Sequence, residues 1–159
     1  MNNNENTKEK ICAFYASDYH FEMISLPYID KKIDNKDEII ILTENNLESS
    51  MKTLLAKTNF KKDKAEKILE LNWKNDDVEK LKTIQNKIEE EKDIIVFVKG
   101  NEKYIKNANH NIERCVPKEK HIKIIDCYDM EEVGENLDEV MDKYHKVLRI
   151  TGEKEIEKL

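Results

Sequence analysis

Glycine and proline are scarce in this chain, at 3 and 2 among 159 residues. So few chain-breakers leave little room for long irregular loops, and the chain reads as tightly connected regular elements. Arginine is scarcer still: Arg114 and Arg149 stand alone, and nearly all positive charge is lysine. Bidentate grips on phosphate favour the planar guanidinium, which argues against a dedicated phosphate clamp. The net charge is −6, so the whole chain lacks the positive footprint that direct nucleic-acid binding needs. Cys12, Cys115 and Cys127 are odd in number and widely spaced, which excludes a disulfide framework and a CxxC metal pair. The opening MNNNENTKEK has no apolar signal core, and no apolar run approaches the ~20 residues that span a bilayer. No membrane association is expected, and a reducing cytoplasm is the expected location.

The phosphate-binding motifs are also missing. There is no GxxxxGK[ST] and no GxGxxG. The first turn, Tyr15-Ala16-Ser17-Asp18, has no glycine to admit a pyrophosphate, and Asp18 would repel one. The acidic pair, phosphoacceptor Asp and Lys of response-regulator receiver domains do not fit either. His110, His121 and His145 have no partner at metal-ligand spacing, and no cofactor is expected.

What is present is a set of apolar clusters in a highly charged chain, 38% hydrophobic and 39% charged. Its length fits one domain with one real core. Residues 11–15, 38–43, 94–98, 121–128 and 147–150 are near-continuous apolar runs, the mark of strands covered on both faces. Residues 67–73 alternate more loosely and read as a strand nearer an edge. Between the runs lie stripes at helical spacing. Phe21, Ile24, Tyr28 and Ile29 follow Ser17-Asp18, with Pro27 expected to kink that helix or restart it at Ser25. Leu47, Met51, Leu54 and Leu55 follow Asn45-x-x-Glu48. Val78, Leu81, Ile84 and Ile88 lie in a helix over 76–92. Tyr104, Ile105, Ala108, Ile112 and Cys115 precede Pro117. Val133, Leu137, Val140, Met141 and Tyr144 follow Asp129-x-x-Glu132. Six strands alternating with five helices imply right-handed crossovers and an α/β three-layer sandwich around a mostly parallel sheet. Residues 1–9 read as a disordered tail, 10–152 as a single domain and 153–159 as a charged tail.

In such a sheet, ligands bind beyond the carboxyl ends of the strands. That rim is expected to hold Tyr15, Ser17 and Asp18; Thr43, Glu44 and Asn45; Trp73 and Lys74; Lys99 and Gly100; Cys127, Tyr128 and Asp129; and Thr151. His20, at the start of the first helix, can join them. Asp18, Asn45 and Asp129 also suit helix caps, which is their first assignment. Cys127 precedes a helix N-terminus, where a thiolate is favoured, so a Cys127–His20 nucleophile is one reading. A buried thiol and a surface histidine are the preferred one, because free cysteine is commonly buried.

Both ends of the chain resemble a family. Phe14-Tyr15, Asp18, Pro27-Tyr28 and Ile39–Leu42 are similar to the opening of MEDS domains, the sensory domains of DcmR-type regulators. Cys127-Tyr128-Asp129, His145 and Val147–Ile150 resemble their closing segment, while the middle matches only by element order. The resemblance implies a degenerate RecA/KaiC-like fold without a P-loop; a flavodoxin-like strand order is the alternative. It also implies a sensory role in signal transduction or transcription control. The expected function is therefore a stand-alone, non-catalytic regulatory module that binds an unidentified small molecule or a regulatory protein partner. The alternatives are a small-metabolite enzyme using Cys127 with His20 or Asp129, and a ligand-free protein–protein adaptor or homo-oligomer.

Overall fold

The computed structural model describes residues 8–35, 37–90 and 92–156. Each continuously apolar run becomes a strand: β1 (Lys8–Tyr15), β2 (Glu38–Thr43), β3 (Ile94–Gly100), β4 (Ile122–Asp129) and β5 (Lys146–Arg149). All seven residues of β3 are buried, as a strand with helices on both faces requires. A short sixth strand, β6 (Gly152–Glu155), pairs antiparallel with β5; the other pairings are parallel.

The helices are α1 (Asp18–Ile33), α2 (Glu48–Lys57), α3 (Lys62–Glu70), α4 (Asp77–Lys87), α5 (Glu102–Cys115), α6 (Met130–Val133) and α7 (Leu137–Met141). Side-chain alternation in β1 divides the core into two layers. Ile11, Ala13 and Tyr15 pack with Phe21, Met51, Ile68 and Trp73 beneath α1, α2 and α3. Cys12, with Phe14 beside it, packs with Ile84, Ile105, Ile112 and Val140 beneath α4, α5 and α7.

The sheet order is β2-β3-β4-β1-β5-β6. β1 thus sits between β4 and β5. That order excludes the flavodoxin-like alternative, because a 2-1-3-4-5 sheet would place β1 beside β2. At the β2 edge, the buried Lys80 of α4 donates to Ile41 O at 2.5 Å and to Lys74 O, which covers part of an otherwise open ladder.

Several expectations are corrected. Residues 67–73 form no strand: α3 takes Lys62–Glu70, and Leu71–Trp73 is an irregular link. KDKAEKILE consists mainly of strong helix formers, and Ile68 is its one buried residue, so it cannot supply a strand with two buried faces. The sheet nevertheless has six strands, because β6 (Gly152–Glu155) is formed by the last residue of the expected domain and the start of the expected tail. Lys8 and Glu9 of the expected disordered segment begin β1, while residues 1–7 and 157–159 lie outside the described residues. α1 runs through Pro27 without a restart at Ser25. The single helix expected after Asp129 is divided into α6, a 3-10 turn at Gly134–Asn136 and α7, because Gly134 has φ +54°.

Candidate functional site

The expected rim forms, but it is largely occupied by its own side chains. Ser17 caps α1 by accepting from His20 N at 3.1 Å. Asp18 is therefore free for another role. It accepts from Lys99 Nζ at 2.8 Å and from Asn45 Nδ2 at 2.9 Å, while Asn45 Oδ1 accepts from Lys99 at 2.9 Å. This closed triangle ties the ends of β1, β2 and β3. Lys99 also lies 4.6 Å over the Tyr15 ring, a cation–π contact on a buried face. Glu44 Oε1 accepts from Asn101 N at 2.7 Å. Asn45 does not cap α2; Asn46 Oδ1 takes the Glu48 N–H instead. Asp129 does cap α6, accepting from Glu131 N at 2.9 Å.

Trp73 is not on this rim. It is buried in the α1–α3 layer and donates to Ile68 O at 2.8 Å. Cys127 and His20 are each engaged with backbone. Cys127 Sγ donates to Ile125 O at 3.6 Å, and burial pushes its thiol well above the ordinary range. His20 Nδ1 accepts from Ala16 N at 2.8 Å. A buried thiol in that state is a poor nucleophile.

Tyr128 belongs to a different place. It faces the α4–α7 layer, where α5 and the segment after α7 part over β4 and β1. The gap is an open groove of about 710 Å³, against about 180 and 210 Å³ for two other cavities. Asp126 lies in its floor with a fully buried side chain. Its Oδ1 accepts from Asn109 Nδ2 at 2.8 Å and its Oδ2 from Tyr144 Oη at 2.6 Å. Lys10 Nζ stands 3.7 Å from Oδ2. Tyr128 Oη lies 2.6 Å from Tyr144 Oη. A hydroxyl carries one hydrogen, so while Asp126 is ionised Tyr144 donates to it and Tyr128 must donate to Tyr144.

Burial raises the Asp126 carboxyl above the usual range, against the opposing pull of Lys10 and the bonds from Tyr144 and Asn109. Burial also raises Tyr128 and Tyr144, and the negative charge of Asp126 adds to the rise in each. Asn109 donates its second amide hydrogen to Ile105 O at 2.9 Å. Both neighbours of Nδ2 are acceptors, which fixes the amide orientation. Its Oδ1 is then a buried acceptor without a partner.

Sequence reasoning reached Tyr128 but not Asp126, Asn109, Lys10 or Tyr144 as site residues. One signal was visible: Asp126 interrupts the apolar run of β4, where an unpaired charge is costly. Asn109 sits four residues after Ile105, within the buried stripe of α5.

Among the described residues there is no cluster of three or more His, Cys, Asp or Glu suited to a metal, and no helix long and apolar enough to cross a membrane. No protein-family model, curated protein or solved structure matches the chain.

Proposed function

We propose that the chain is a non-catalytic sensory or regulatory module whose small-molecule site is the groove between α5 and the segment after α7. The observation that carries this reading is the polar floor Asp126–Tyr144–Tyr128–Asn109 beneath an open volume of about 710 Å³. Ligand sites characteristically place a few convergent polar groups in a concave, partly apolar wall. A buried carboxylate chain with an orphaned amide oxygen contributes little to folding for its cost, since an unsatisfied buried acceptor costs about 1–3 kcal/mol. Such a network is better explained as a site than as core. The resemblance of both chain ends to MEDS sensory domains points the same way, toward occupancy read out by a regulatory protein partner.

The test is native mass spectrometry of the chain purified gently from its own host, beside its Asn109→Leu variant. The expected result is a retained small molecule on the wild type and a bare mass for a folded Asn109→Leu. A bare wild type whose groove NMR signals also stay unmoved in host metabolite extract would overturn the reading. A guest retained equally by both proteins would place the site elsewhere.

A further inference from the structure

Resting on that reading of the groove, we propose that its ligand is a small carboxylate, which enters together with a proton: Asp126 takes the proton, and Tyr128 Oη donates a hydrogen bond to the carboxylate oxygen. The chain Asp126–Tyr144–Tyr128 has two hydrogen arrangements, set by whether Asp126 carries a proton.

With Asp126 ionised, both tyrosine hydrogens point inward, and Tyr128 offers the groove only lone pairs. With Asp126 protonated on Oδ2, the direction reverses. The acid donates to Tyr144 Oη, Tyr144 donates to Tyr128 Oη, and the Tyr128 hydrogen is released toward the groove. The bond from Asn109 Nδ2 to Oδ1 is the same in both states. The reversal needs only the rotation of hydroxyl hydrogens, because both oxygen–oxygen contacts are already 2.6 Å.

Two charge effects run in the same direction. Ionised Asp126 would repel an entering anion in a poorly screened floor. It also engages Lys10, 3.7 Å away, and protonation frees that ammonium for the ligand. The groups around Asp126 come from every packed element and are mixed in sign, with the thiol of Cys12 paired beside it on β1 and the negative charge of Glu102 acting on Tyr128. β1 contributes Lys10; β3 contributes the apolar Val98; β4 contributes Tyr128; α5 contributes Asn109, with Glu102, Lys103, Lys106, His110 and Glu113 along the wall; the segment after α7 contributes Lys143 and Tyr144. With Asp126 protonated, four lysines against two glutamates give the groove a positive excess on a chain whose net charge is −6; with Asp126 ionised the count is four against three. That local inversion of sign favours an anion over a cation. The raised carboxyl of Asp126 agrees with uptake of the proton under mild conditions.

The test titrates benzoate, benzamide and benzylamine separately into the isotope-labelled chain, following the Asn109 side-chain amide by NMR. Benzoate stays ionised from about pH 5.5 to about pH 8, so its own protonation does not intrude. The expected result is benzoate binding whose affinity falls about tenfold per pH unit above the Asp126 titration, as one coupled proton requires. Asp126→Asn, whose Nδ2 donates to Tyr144 as the protonated acid does, should bind benzoate with the acid-limit affinity at every pH. Tyr128→Phe keeps the ring and should lose about tenfold or more in benzoate affinity, while staying folded with a melting temperature lowered only by the loss of one buried hydrogen bond. Benzoate binding that is flat with pH and the same in Asp126→Asn would overturn the proton coupling. Benzamide or benzylamine moving the signal while benzoate does not would overturn the carboxylate and leave the groove standing. No response to any of the three overturns this inference, and the mass measurement above decides the groove itself.

Discussion

At the scale of the residue, Asp126 combines a stability cost with a chemical use. Its carboxyl has no exposed surface and its pKa is raised by burial. The folded chain therefore holds that proton more tightly than the unfolded chain, whose Asp titrates near 3.8. A raised group contributes stability that is complete below the unfolded value and is lost as pH rises through the folded one. Asp126→Asn keeps the shape and removes the ionisation, so it should raise the melting temperature at neutral pH, by roughly 2–4 °C for each kcal/mol recovered. The gain should shrink as the pH approaches 3.8. Calorimetry of both proteins across that range checks it; a gain independent of pH would mean that Asp126 titrates alike in both states. Glu22 is a second buried acid, with Oε2 lacking a partner and its carboxyl likewise raised by burial. Glu22→Gln is expected to stabilise with the same pH dependence, but without any effect on benzoate binding at the groove.

At the scale of the element, the groove lies where α5 and the segment after α7 part over β1 and β4. The stripe Val133, Leu137, Val140, Met141 and Tyr144 predicts one long helix. Gly134 prevents it, with φ +54° and ψ −124°, a conformation open to glycine and strained for other residues. Nothing lies within 4 Å of a Cβ built there, so the cost of substitution is conformational rather than steric. Gly134→Ala should therefore destabilise by roughly 1–3 kcal/mol in urea unfolding and weaken ligand binding by shifting Tyr144. A neutral substitution would show that the bend is set by packing alone. The sequence made the five parallel strands legible because a continuously apolar run bounded by polar turns has few other uses. It misled at residues 67–73, where Ile68, Leu71 and Trp73 are apolar enough for a strand but the surrounding Lys, Ala and Glu favour a helix. The rim was legible as a location and not as a network. Lys99, Asn45 and Asp18 come from three strand ends far apart in the chain, and only the sheet order brings them into contact. The groove was illegible for the same reason: Asp126, Asn109, Tyr144 and Lys10 share no motif, and their meeting depends on β1 lying beside β4.

At the scale of the whole molecule, the two ends of the described chain are fastened to each other near the amino ends of β1 and β4, away from the rim. Glu153 of β6 accepts from Tyr28 Oη of α1 and from Lys123 Nζ of β4, both at 2.9 Å. Lys146 of β5 stands 3.6 Å away and also donates to Glu9 of β1 at 3.1 Å. One carboxylate thus joins the last strand to the first helix and to the centre of the sheet. Burial alone would raise the Glu153 carboxyl, but the bonds from Lys123 and Tyr28 and the charge of Lys146 outweigh it and hold it below the usual range. The sign of the linkage is opposite to that of Asp126. A lowered group contributes stability that is present above its unfolded value, here 4.5, and is lost as pH falls through the folded one. Glu153→Gln should accordingly cost about 1–2 kcal/mol at neutral pH and progressively less below 4.5, measured as the shift in urea midpoint. The double variant with Asp126→Asn should show the two effects adding, because the carboxylates share no partner. Acidification would then erase the gain and the loss together, leaving variant and wild type with the same midpoint. A difference that persists in acid would mean that one of the two side chains acts through its shape rather than its charge.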